Sequence, residues 1–144
     1  MIESDTIRLL RECDLGIKMG VSAIAEVIDY VKDENFKFFL AQNKGEHEAL
    51  KKEIEQLLHQ YEDEGKNPNR VVKGMSWMKT NMKLMMKESD QTIADLITDG
   101  CNMGIKSLHR YLNQYKAADE QTKDITKRLI ALEEALEKEI RKYL

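Results

Sequence analysis

Apolar residues recur every three or four positions through four long stretches of the chain, which is the spacing of helices with one buried face. The first helix, capped by Ser4 or Asp5, is predicted to run to about Val31 with Leu10, Ile17, Val21, Ile24, Ile28 and Val31 inward. On its wheel Glu12 points to water, whereas Cys13 and Asp14 point at partner helices. Lys32-Asp33-Glu34-Asn35 is a hairpin turn with Asp33 as cap. The second helix then carries the seam Phe36, Leu40, Asn43, His47, Leu50, Ile54, Leu57, Tyr61, in which both polar members sit mid-helix. The pattern breaks over 62–90, where Glu64-Gly65-Lys66-Asn67-Pro68-Asn69 signals a loop. A short helix from about Trp77 to Met86 follows, with Met75, Met78, Met82 and Met85 on one side and Lys79, Lys83 and Lys87 beside them. Ser89 or Asp90 caps a third helix, Gln91 to Lys116, with Ile93, Ile97, Cys101, Ile105, Leu108 and Leu112 inward. After the turn Asp119-Glu120-Gln121, the last helix buries Ile125, Leu129, Leu132, Leu136, Ile140 and Tyr143, with Glu133 at its edge where the second helix has His47.

Two hairpins built this way echo each other. Cys13-Asp14-Leu15-Gly16-Ile17-Lys18 returns 88 positions later as Cys101-Asn102-Met103-Gly104-Ile105-Lys106. Glu48–Ile54 returns 86 positions later as Glu134–Ile140, and Asp33-Glu34-Asn35 falls on Asp119-Glu120-Gln121 at that same offset of 86. The expected organisation is a single all-α domain over 1–144: a hairpin at 4–61, a crossover at 62–90 and a hairpin at 91–144. The crossover can span the roughly 40 Å of a helix of this size and start the third helix at the opposite end of the bundle. That relates the hairpins by a dyad.

Composition narrows the partners. Charged residues make up 34% of the 144, but the net charge is only −3, too mild to point to nucleic acid or an anionic membrane. No apolar run reaches the length of a bilayer span and the first residues are acidic, so a cytoplasmic location is expected. Two cysteines in such a chain read as free thiols, and as small buried hydrophobes before a redox pair. A Gly-rich phosphate loop, a Gly-x-Ser-x-Gly elbow and a His-Glu-x-x-His sequence are all missing, and His59 and His109 lie outside any ligand pattern.

Duplicated hairpins joined by a long crossover resemble the ferritin and rubrerythrin superfamily, and the pattern is similar to bacterial ferritin-like domains in which a short helix fills the crossover. The resemblance implies a four-helix bundle with a fifth, short helix. In di-iron members, helices one and three each supply a Glu, and helices two and four each supply Glu-x-x-His, because positions i and i+3 share a face. Here the second-helix position reads Lys44-Gly45-Glu46-His47 and its fourth-helix counterpart Ile130-Ala131-Leu132-Glu133. The Glu positions of helices one and three fall near Cys13 or Asp14 and near Cys101 or Asn102. Of the expected ligands only His47, Asp14 and, as a substitution, Glu133 remain, so a standard di-iron centre is not expected.

The mid-bundle group Cys13, Asp14, Asn43, Glu46, His47, Cys101, Asn102 and Glu133 then has two readings. Unpaired buried polar groups cost roughly 1–3 kcal/mol each, so it is either a hydrogen-bonded core layer left over from a duplicated metal site or a reduced metal site. Metal candidates are His47, Asp14, Glu133, Glu46, Cys13 and Cys101, holding zinc or ferrous iron. The Met stripe packs the crossover on the bundle or docks a protein partner through Trp77, Met78, Met82 and Met85. The sequence is thus expected to encode a non-catalytic structural or interaction protein, stress-associated and a homodimer or other homo-oligomer as the resemblance suggests, without a cofactor. The alternative is an iron- or peroxide-handling protein centred on His47.

Overall fold

The apolar stripes fold as four helices. In the computed structural model, which describes residues 4–63 and 89–144, these are α1 (Ser4–Val27), α2 (Glu34–Gln60), α3 (Asp90–Gln114) and α4 (Glu120–Ile140). No strand occurs among the described residues, and no helix there is long and apolar enough to cross a membrane. The expected loop at 64–69, the short helix at 77–86 and the Met stripe with Trp77, Met78, Met82 and Met85 lie outside the described residues.

Both hairpin turns are closed by an aspartate cap, Asp33 as the sequence suggests and Asp119 at its repeat equivalent. Asp33 Oδ1 accepts from Phe36 N at 2.9 Å, and Asp119 Oδ1 accepts from Thr122 N at 2.8 Å, each satisfying an amide that the helix start leaves unpaired. Ser89 makes no capping bond, although it occupies the cap position of α3. Asp90 instead turns its carboxylate to the first hairpin, accepting from Lys32 N and Asp33 N, both at 2.8 Å. Helix α1 ends four residues before Val31, because Ile28–Tyr30 tighten into a 3-10 turn before the chain extends at Val31.

These contacts fix the topology. Asp90 at the start of α3 touches the α1–α2 turn, while Ala117 N and Asp119 N of the α3–α4 turn donate to Asp5 and Thr6 at the start of α1. Helices α1 and α3 therefore run antiparallel, and the two turns lie at opposite ends of the bundle. Each hairpin packs on the other through α1 with α3 and α2 with α4, and α1 also meets α4 across the diagonal.

The core divides into two apolar clusters, each drawing on all four helices. One holds Leu10, Ile17, Ile54, Leu108 and Leu129; the other holds Ile24, Phe36, Leu40, Ile97 and Ile140, closed at its end by Phe36 stacked on Tyr143 at 4.3 Å between ring centres. Between them lies a polar layer. On α2 it falls between Leu40 and Leu50, and on α4 between Ile130 and Leu136. Glu12, expected in water, is half-buried and receives a hydrogen bond from Tyr111.

Candidate functional site

His47 and Glu133 meet at the centre of that layer. His47 is fully buried, and its Nε2 lies 3.0 Å from Glu133 Oε1. Its Nδ1 lies 2.9 Å from the Asn43 carbonyl, one turn back on the same helix. A carbonyl only accepts, so Nδ1 carries a proton; Nε2 then shares the second proton with the carboxylate. Burial works against the charged ring, but the Glu133 hydrogen bond and charge, with smaller help from the Asn43 carbonyl and Glu46, outweigh it and hold His47 above its usual range. The result is a buried histidine–carboxylate pair whose contact favours the charged ring.

The other two helices complete the layer with glycine. A methyl on Gly20 would stand 3.5 Å from His47 Cδ2 and 3.7 Å from Glu133 Oε1, and one on Gly104 would stand 3.8 Å from Glu133 Cδ. The pair thus packs directly against both glycines. The Cys101 thiol lies near Glu133, and desolvation by burial, followed by the Glu133 charge, pushes its pKa up. Asn43 ties α2 to α4 once more through its amide, which donates to the Leu132 carbonyl at 3.3 Å.

The remaining metal candidates lie elsewhere. Asp14, six residues before Gly20 on α1, sits about 9 Å along the axis from the central layer. It is fully buried, Lys18 Nζ donates to its Oδ2 at 2.6 Å, and its Oδ1 has no partner among the described residues. Cys13 sits at the same low level against Thr126, at 3.2 Å. The Thr126 hydroxyl donates to the Thr122 carbonyl at 2.8 Å, so it accepts from the thiol. Burial, the larger influence, lifts the Cys13 pKa to about 12. Glu46 is exposed on the wall of an open groove between α2 and α4, and Asn102 lies outside the layer with its amide on Glu137 at 2.9 Å.

Of the candidate ligands the fold thus brings together His47 and Glu133, and leaves Asp14, Cys13 and Glu46 apart and Cys101 in the neighbouring apolar cluster. Among the described residues no three His, Cys, Asp or Glu side chains form a group that could hold a metal ion. The donor chemistry points the same way: the one ring nitrogen not bound to a backbone carbonyl, His47 Nε2, is taken up by Glu133 Oε1. This set does not fit a di-iron or mononuclear centre without dismantling those bonds.

Sequence reasoning places the first-helix and third-helix members of the layer at Cys13 or Asp14 and at Cys101 or Asn102. The structure places them at Gly20 and Gly104. A signal for this was available in Gly16-Ile17-Lys18-Met19-Gly20-Val21 and Gly100-Cys101-Asn102-Met103-Gly104-Ile105, which echo at an offset of 84. Buried residues follow that offset: Leu9 with Ile93, Leu10 with Ala94, Cys13 with Ile97, Ile17 with Cys101, Ile24 with Leu108. Compared with protein-family models, curated proteins and solved structures, the chain finds no match.

Proposed function

We propose that this chain is a non-catalytic structural or interaction protein with a ferritin-like bundle, in which an ion-paired polar layer occupies the level where a metal pair would lie. The reading is supported above all by His47, whose two nitrogens both lie at hydrogen-bond distance from oxygen atoms, Nδ1 from the Asn43 carbonyl and Nε2 from Glu133. Hairpin turns at opposite ends of the bundle and a mid-height polar layer are what the ferritin-like architecture leads one to expect. A carboxylate on α4 opposite the α2 histidine balances charge by itself and leaves nothing for a cation to neutralise.

Elemental analysis of untagged protein, together with melting curves in chelator, zinc and ferrous iron, tests this. The expected result is no stoichiometric metal and one melting temperature in all three. A bound metal atom per chain, or a melting temperature raised by zinc or iron and lowered by His47→Ala, would replace the proposal with a metalloprotein centred on His47.

A further inference from the structure

The two hairpins are related by a pseudo-two-fold axis, and the axis passes through the polar layer. The two capping bonds lie 86 positions apart, Asp33 to Phe36 N and Asp119 to Thr122 N. His47 and Glu133 are also 86 apart. On α1 and α3 the offset is 84: Thr6 accepts from Asp119 N, and Asp90 accepts from Asp33 N. Gly20 and Gly104 are 84 apart too, and Gly20 borders His47 as Gly104 borders Glu133. A residue that touches its own symmetry mate lies on the axis, so the contact between His47 and Glu133 marks where it runs.

This has a consequence for what each hairpin can pair with. Across a true two-fold axis, identical hairpins would set like against like. Two copies of the first would press imidazole against imidazole, and two copies of the second carboxylate against carboxylate. The ends of the bundle do not distinguish these arrangements, because each hairpin offers an oxygen acceptor on its first helix and turn amides to receive it. Most neighbouring core positions do not either, since they are apolar in both hairpins; Asn43, equivalent to Leu129, is polar but uncharged. Among the buried contacts between the hairpins of the described residues, the axial pair alone differs in charge; the other ion pair across α2 and α4, Arg128 with Glu53, is half exposed and contributes little.

We propose that His47 and Glu133 are a pairing code, through which the hairpin of α1 and α2 selects the hairpin of α3 and α4 over a second copy of itself. Unlike partners form a hydrogen-bonded pair on the axis; like partners leave a buried group without its complement. The rest of the interface supplies attraction, and this contact supplies the choice. It also explains why the polar layer sits on the axis: there alone does one side chain from each half meet its own equivalent.

The inference rests on the metal-free reading of His47, and the test keeps the two apart. The full chain is made as His47→Glu, as Glu133→His and as the double exchange, and urea midpoints and masses by light scattering are measured in chelator. Both single exchanges are expected to lower the midpoint or prevent folding. The double exchange should recover most of the loss at the wild-type mass, since position 133 has the Leu129 carbonyl one turn back, as position 47 has that of Asn43. A double variant no better than the worse single variant, or single variants with unchanged midpoints, would overturn the pairing code. A wild-type midpoint that chelator lowers would overturn the metal-free reading instead.

Discussion

Glu133→Gln separates an ion pair from a layer of neutral hydrogen bonds while keeping the shape of the side chain. The Gln amide nitrogen can donate to His47 Nε2, so the ring keeps its partner and no cavity opens. What changes is charge assistance. Hydrogen bonds to charged groups contribute about 1.5–3 kcal/mol and neutral ones about 0.5–1.5, so the substitution should cost about 1–2 kcal/mol near pH 6. The cost depends on pH in a determined direction. His47 is held above its usual range in the folded chain, so the stability this gives is complete below the unfolded value of about 6.5 and is lost as pH rises through the folded value. With Gln at 133, burial, the largest single influence on the ring and one that favours the neutral form, is opposed only by the Asn43 carbonyl and Glu46. The two largest influences that raise the ring are then gone, so the wild-type decline of stability with rising pH should flatten or reverse. Urea denaturation at several values between about pH 6 and 8.5 reads both slopes. A variant with the wild-type slope, or a wild type with no slope, would refute the ion pair.

Three further outcomes follow from single contacts. Gly100 is an exposed helix-interior glycine whose added methyl would meet nothing within 4 Å, so Gly100→Ala should raise stability by about 0.5–1 kcal/mol in the same urea assay. Thr126→Val removes a hydroxyl that bridges the Cys13 thiol and the Thr122 carbonyl within an otherwise apolar cluster. Because the thiol is a weak donor, the loss should stay at about 1 kcal/mol or less, and a drop of several kcal/mol would show that the bridge orders the core. Cys13 and Cys101 should resist a thiol reagent at pH about 8 until the chain unfolds, since both are buried with pKa values pushed up. Mild oxidation should also leave them unlinked, because ten residues of helix, about 15 Å, separate their levels in the bundle.

Why the sequence yields the helices and not the register can be seen at those two cysteines. Faces are read from a period of 3.6, and the competing offsets of 88 and 84 on the first and third helices differ by four residues, close to one full turn. Either offset keeps apolar on apolar, so periodicity marks Cys13, Ile17, Ile97 and Cys101 as inward under both and is blind to their height. Height is set by the turns. The bonds of Asp90 to the first turn and of Thr6 to the second pin α1 and α3 at 84, and a turn's reach across the bundle has no signature in the local pattern. The second and fourth helices escaped the ambiguity because their aspartate caps lie inside the repeat and carry the register with them, which is why His47 and Glu133 were legible as equivalents while Gly20 and Gly104 were not. One turn of slip, about 5 Å, is also the difference between the two chemical readings. At an offset of 88 two thiols and an aspartate join the histidine and resemble a metal site; at 84 two glycines take their place, and the layer closes on itself as a single neutralised pair.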